Sequence, residues 1–199
     1  MNKLKYYILF CFATLLINNS TQAQNFEVKM LHSIHVDSSV FKNKLSKGLS
    51  FSAAPIAIAT PATLILTGFI NKDDAMKREG YRAGATFVLS SALTVGLKYS
   101  INRKRPFAKH PDLFHQKSHV GPYSFPSGHT STAFATATSL TLATKKWYVA
   151  VPAYAWASGV AYSRMYLGVH YPSDILGGMV IGIGSGFLVW KVDQWLQKK

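Results

Sequence analysis

Three groups of polar residues in this 199-residue chain stand at the edges of apolar segments, and each carries side chains suited to an anion. The first is Lys98 with Arg105-Pro106, the second Pro126-Ser127-Gly128-His129, the third Ser163-Arg164 with His170 and Asp174. A phosphoryl centre is shielded by its own negative oxygens, so an attacking group reaches it only after cations have neutralised them. Lys98, Arg105 and Arg164 meet that need, and the two guanidiniums can grip phosphate oxygens in forks. Gly128 lets the backbone come close to an anion, amides at a helix start point towards one, and the Ser127 hydroxyl adds a donor. His170 and Asp174 flank Pro172-Ser173, a natural helix start. A carboxylate there can hold one imidazole nitrogen as N–H and leave the other to attack phosphorus. His129 on the opposite side can protonate the departing oxygen and later activate water. This chemistry calls on no metal and no organic cofactor, because fixed cations supply the electrostatics.

The elements that must position these residues are apolar and poor in charge. From Gly48 to Ile70 no charged residue occurs, and about 20 apolar residues suffice to cross a bilayer. Pro55 and Pro61 fall inside that run and are expected to kink it, which membrane helices tolerate. A charged turn over Asn71–Arg82 closes it. Four further uncharged segments follow: Ala83–Leu97, Thr130–Thr144, Trp147–Tyr162 and Ile175–Trp190. They are 15 or 16 residues long and rich in Ala, Gly, Ser and Thr. Buried helices of a soluble all-α domain fit this pattern. So does a membrane bundle, whose helices meet through small residues. Gly177-Gly178, Gly182, Gly184 and Gly186 favour the bundle, since each would weaken a soluble helix by up to roughly 1 kcal/mol relative to Ala. Trp147, Trp190 and Trp195 lie near segment ends, where an interfacial belt belongs, and Trp156 does not.

The N-terminus reads as an export signal or as an uncleaved first membrane helix, over residues 1–23. Lys3 and Lys5 precede an apolar run from Tyr6 to Ile17, and Thr21-Gln22-Ala23 offers a small-residue cleavage site. The only cysteine, Cys11, falls inside this segment, so a cleaved chain has no disulfide to use. Residues 24–47 read as a polar linker or amphipathic arm. With 22 basic and 8 acidic residues the formal charge is +14, which suits anionic lipid or phosphate. No basic tail and no nucleic-acid-binding motif accompanies that charge, so no nucleic acid is expected as a partner. An alternating path with Lys3 inside divides the basic residues evenly. Setting aside Lys98, Arg105 and Arg164 leaves a weak excess on the inside, of the expected sign. The same path puts all three polar groups on one external face.

Lys98 and Arg105-Pro106 with six residues between, then Pro126-Ser127-Gly128-His129, then Ser163-Arg164 with His170 and Asp174, resemble the complete three-part signature of the type 2 phosphatidic acid phosphatase (PAP2) superfamily. The signature covers residues 98–174 and the helical pattern extends the likeness to about 83–190. The resemblance implies an all-α helical bundle of five to six membrane-associated helices, occupying residues 48–199, with the site at the external helix ends. It implies His170 as nucleophile, Asp174 as the group that orients it, and His129 as general acid. Lys98, Arg105, Ser127, Gly128 and Arg164 would hold the phosphate. The expected activity is metal-independent hydrolysis of a lipid phosphate or pyrophosphate through a phosphohistidine, on the periplasmic face of a bacterial inner membrane. Phosphatidic acid, phosphatidylglycerol phosphate, undecaprenyl pyrophosphate and lipid A are the candidate substrates. A soluble periplasmic acid phosphatase of broad specificity is the alternative. A vanadium haloperoxidase shares the residue set but needs a larger scaffold, and a protein that only binds phosphorylated lipid would need neither histidine nor Asp174.

Three histidines lie between the first two groups: His110, His115 and His119. Their spacing matches no standard metal-ligand pattern. With Phe107, Phe114 and Tyr123 they read as a lid over the substrate. Arg103 and Lys104 read as solvated loop charges or headgroup contacts, and His32 and His35 carry no signal.

Overall fold

The computed structural model describes residues 20–36 and 39–198; the run from Tyr6 to Ile17, Cys11 and most of the 1–23 segment lie outside them. The described residues form seven helices: α1 (Ser20–His35), α2 (Val40–Ile70), α3 (Asp74–Ile101), α4 (Pro106–Lys109), α5 (Gly128–Thr144), α6 (Trp147–Tyr166) and α7 (Pro172–Leu196). No strand occurs among them beyond an isolated bridge between Lys104 and Tyr123. The chain is an all-α bundle of five long helices with α1 laid against the end that carries the three polar groups.

Two of the expected segments are longer than their uncharged stretches. α2 is one continuous helix of 31 residues through Pro55 and Pro61, reaching back to Val40. The turn expected over Asn71–Arg82 shrinks to Asn71–Asp73, because Asp73 caps α3 by accepting from Met76 N at 3.0 Å. The charged residues that follow are held by partners instead of being left to a loop. Arg82 donates to Asp193 on α7 at 2.7 Å and pairs with Glu79, and Arg78 donates to the same Asp193 at 3.1 Å. Residues 24–47 are mostly helical, divided between α1 and the first turns of α2.

Small residues let the helices meet closely. α5 is the central helix, packed against α2, α3, α6 and α7, and its buried positions run almost unbroken from Thr130 to Ser139. Several of its hydroxyls are satisfied within the bundle. Thr138 donates to Phe134 O at 2.7 Å and meets the Tyr154 hydroxyl at 2.9 Å, and Thr94 donates to Ser131 at 2.9 Å. Gly178 and Gly182 bring α7 onto α5. A Cβ at Gly178 would stand 2.7 Å from Ser127 O, and one at Gly182 would stand 2.8 Å from Ala135 N. Both obstacles are backbone and cannot rotate away. Gly182→Ala is therefore expected to destabilise the bundle by about 1–3 kcal/mol, read as a lower Tm in detergent.

Many of the large apolar side chains on the long helices point outward. Leu66, Val88, Val151, Leu176, Val180 and Leu188 are all exposed, whereas the buried centre is made largely of Ala53, Ala133, Ala137, Ala157 and Ala161 with Phe134 and Val160. A water-facing protein avoids such a continuous apolar exterior, and a bilayer demands it. α2 and α7 are each long and apolar enough to cross a membrane.

Candidate active site

The three polar groups come together at one end of the bundle, where α3 stops, α5 begins, α6 stops and α7 begins. Each arrives by a different local device. Asn102, in the left-handed conformation at φ 52°, closes α3 just after Lys98 and throws the chain across the bundle end. Lys98 Nζ donates to the carbonyls of Tyr123 at 3.0 Å and Ser124 at 3.3 Å. Arg105 sits four residues beyond α3, 4% exposed, and is pinned by Gly121 O and Val169 O, each at 2.6 Å. Burial lowers its guanidinium to about 10, so it is still cationic at neutral pH.

Ser127 precedes the first residue of α5, fully buried, with its N–H donating to Asp174 O at 3.0 Å and its hydroxyl accepting from Thr130 at 2.9 Å. Gly128 and His129 are the first two residues of that helix, where backbone N–H groups have no partner within the helix. Arg164 lies in the last turn of α6 and is 1% exposed. Its Nη1 donates to Ser50 on α2, while Nε and Nη2 are buried without a partner among the described residues. Burying a guanidinium with two unpaired donors is costly unless an anion meets them. Lys98, Arg105 and Arg164 are also near enough that all three act electrostatically on His129, and Arg105 and Arg164 on His170. Three crowded cations are a strained arrangement alone and a favourable one around phosphate.

His170 hangs in the short loop between α6 and α7, 2% exposed. Its Nδ1 faces Asp174 Oδ2 at 3.4 Å and its Nε2 lies 3.3 Å from Arg105 Nη1. Burial holds this imidazole well below its usual 6.5, against the opposing pull of Asp174, and Arg105 and Arg164 add to the lowering. It is neutral, and the carboxylate at Nδ1 leaves Nε2 as the bare nitrogen, which is the arrangement a nucleophile needs. Asp174 does two jobs. It accepts from Tyr171 N at 2.8 Å, capping α7, and it orients the ring from the same oxygen. Ser124 donates to that oxygen as well.

His129 stands where two clefts meet. One, about 290 Å³, runs between α2 and α3 past Ala53, Ala54, Thr94, Val95 and Lys98. The other, about 460 Å³, is flanked by Lys47, Lys117 and His119.

Some expectations are corrected by this geometry. The lid of His110, His115, His119, Phe107, Phe114 and Tyr123 is not one element. Phe114 is 1% exposed in a cluster with Leu31 and Tyr171, and Phe107 packs against that cluster. His110 stands edge-on to Phe114, and His115 N donates to His35 Nε2 at 3.0 Å. Tyr123 packs edge-on against Tyr99, and only His119 reaches a cleft beside His129. The reason is α1, whose apolar face supplies partners for the loop. His35 is likewise not idle: its Nδ1 meets Tyr166 O at 3.1 Å, tying α1 to the end of α6. Arg103 is not a solvated charge, because it pairs with Asp174 at 2.6 Å and with Glu27 at 2.7 Å. No local pattern announced Glu27, Ser50 or Ser124, whose partners are 50 to 146 residues away.

Comparison with known proteins agrees with this arrangement. A profile of the PAP2 superfamily matches residues 80–198, and the chain belongs to that family. It is 30% identical over 122 residues to an undecaprenyl-diphosphatase of Sulfolobus acidocaldarius, covering 56% of each chain. A lipid A 4'-phosphatase of Bacteroides thetaiotaomicron is 36% identical over 70 residues, 35% of this chain and 31% of that one. The chain thus spans about half the length, or less, of these two relatives. Among solved structures, the transmembrane PAP2 type phosphatidylglycerolphosphate phosphatase of Bacillus subtilis superposes with a TM-score of 0.71 at 26% identity. That superposition covers 98% of this chain and 97% of the other.

Proposed function

We propose that the chain is a phosphatase that hydrolyses a lipid phosphate or pyrophosphate through a phosphohistidine, at the periplasmic face of a bacterial inner membrane. The observation that carries this reading is the buried imidazole of His170, fixed by Asp174 beside the buried Arg105 and Arg164 and the half-buried Lys98. Lys98, Arg105 and Arg164, with the amides at the start of α5, hold the non-bridging oxygens. His170 Nε2 attacks phosphorus in line as the bond to the leaving oxygen breaks, and His129 gives that oxygen its proton. The lipid alcohol, or the lipid phosphate in the case of a pyrophosphate, departs. His129, now neutral, takes a proton from water as the water attacks the phosphohistidine, and phosphate and free His170 result. The cations are in place before the charge builds, so little reorganisation is needed.

The membrane setting is supported by the outward apolar side chains and by the position of the site at a bundle end, where a headgroup would sit. The opposite end carries Lys72, Lys77, Arg78, Arg82, Lys145, Lys146, Lys191 and Lys198, which favours that end as the cytoplasmic one. The relatives' names concern several lipids, and the substrate class here rests on a panel. Purified protein in detergent with EDTA is expected to release phosphate from at least one of phosphatidic acid, phosphatidylglycerol phosphate, undecaprenyl pyrophosphate and lipid A. Water-soluble phosphate esters should turn over poorly. Release into the soluble fraction on osmotic shock, with equal turnover of soluble esters, would instead support the soluble acid phosphatase.

The pH profile follows from the burial of His170. Its folded value lies below 6.5, so the attacking form persists as pH falls through the range where an exposed imidazole is lost. The acid limb of kcat/KM is expected at least about one unit below 6.5. A limb at or above 6.5 would show that some other group carries the attack.

A further inference from the structure

The segment ahead of the family-matched region reaches the site through one side chain. Glu27, in the middle of α1, is largely buried and uses both carboxylate oxygens. Oε2 accepts from Arg103 Nη2 at 2.7 Å, and Oε1 accepts from Ser173 N at 2.8 Å and from the Ser173 hydroxyl. Ser173 N is one of the amides at the start of α7 that lack a partner within the helix, so a carboxylate from α1 completes the cap of α7. Arg103 passes the contact on. Its Nη1 donates to Asp174 Oδ1 and to Ser173 Oγ, both at 2.6 Å, and its guanidinium lies 4.1 Å from the centre of the Tyr171 ring.

The two oxygens of Asp174 therefore have separate duties. Oδ1 belongs to Arg103, while Oδ2 serves His170, Tyr171 N and Ser124. A carboxylate turns easily about its last torsion, so the donors at Oδ2 alone leave its orientation loose. A planar guanidinium anchored on its far side by a second carboxylate removes that freedom. Burial pulls Arg103 down, but Asp174 and Glu27 more than offset this and its value is raised, so it is a permanent cation between two anions.

We propose, resting on the phosphatase reading above, that Glu27 and Arg103 are positioning residues that lock the Asp174 carboxylate and through it the His170 ring, making α1 a working part of the active site. Neither touches the phosphate cradle. Glu27 lies outside residues 80–198 and Arg103 inside them, so the brace ties the N-terminal region to the family-matched one. It also explains why α1 lies across the bundle end: Leu31 with Phe114 and Tyr171, and His35 with Tyr166 and His115, hold Glu27 in register.

The charges facing His170 are Glu27 and Arg103 through Asp174, Arg105 from the loop, Arg164 from α6, and Lys98 and His129 across the cradle. Removing one charge from the brace should move the acid limb of kcat/KM in a direction set by its sign. Glu27→Gln keeps the shape but leaves Arg103 less balanced, so protonated His170 is disfavoured and the limb moves down. Arg103→Met leaves Asp174 and Glu27 unopposed, so the limb moves up. Each shift is expected to be roughly half a pH unit or more. kcat should fall roughly 10-fold in the first and up to roughly 100-fold in the second, with KM little changed. Arg103→Lys should restore the limb and not kcat, because an ammonium cannot span both carboxylates in a plane.

The test is the pH dependence of kcat and KM for these three variants beside wild type and His170→Ala, on the full chain in detergent, scaled to folded protein by Tm and gel filtration. Opposite limb shifts with a kcat-borne loss support the brace. An unchanged kcat per folded molecule, or limbs that do not move or move together, overturns it. If His170→Ala retains turnover, the phosphatase reading itself fails; if that variant is dead while Glu27→Gln matches wild type, only the brace does.

Discussion

His170→Ala is expected to lose phosphate release by on the order of 10⁴-fold or more, with folding and lipid binding retained. The size follows from what the side chain does. In the proposed reaction the bond from His170 Nε2 to phosphorus divides the chemistry into two easier steps, and among the described residues no neighbour is placed to take over. Arg105, 3.3 Å away, is a cation, and Asp174 is occupied by Tyr171 N, Ser124, Arg103 and the ring itself. The cradle of Lys98, Arg105 and Arg164 remains, so the variant should still bind the lipid phosphate, and the loss should fall on kcat. The check is kcat and KM on the best substrate of the lipid panel. A loss carried by KM would make His170 a binding group.

The second large effect has a signature of its own. His129→Ala should lower kcat by ~10²–10⁴-fold for a lipid phosphate, whose leaving alkoxide is strongly basic and must be protonated as it departs. For a lipid-like aryl ester, a nitrophenyl phosphate carrying a long alkyl chain, the leaving group is a much weaker base, so the attack step should suffer far less. Hydrolysis of the phosphohistidine still needs His129 as base in the proposed reaction, and the variant should give a burst of the nitrophenol followed by slow turnover. Equal losses on both esters and no burst would place His129 in binding. His129 lines both clefts, as the proposed role beside a departing chain requires.

Much of this site was legible because its parts are local. Arg105-Pro106, Ser127-Gly128-His129 and His170 four residues before Asp174 each sit within one turn of a helix boundary, and helix boundaries leave marks in composition. The bundle was legible too, since small residues inside and large apolar ones outside give segments with no charge. What escaped is long-range. Glu27 and Arg103 are 76 residues apart, Ser50 and Arg164 114, and no period or spacing links them. The start of α3 was missed for a similar reason. Glu79 and Arg82 look like loop charges until Asp193, 111 residues on, is seen to hold Arg82 against α7. The lid failed because its aromatic residues found an apolar partner in α1, and that helix read as polar and without period.

The central claim is that phosphorus is bonded to His170 on the way to phosphate, and the stereochemistry at phosphorus tests it most directly. A lipid thiophosphate ester, made chiral with oxygen isotopes, is hydrolysed in water carrying the third isotope, and the configuration of the released thiophosphate is read. Two in-line displacements, first by His170 Nε2 and then by water, give overall retention, which is the expected result. Inversion would mean a single direct attack by water, and would contradict the phosphohistidine however complete the loss in His170→Ala.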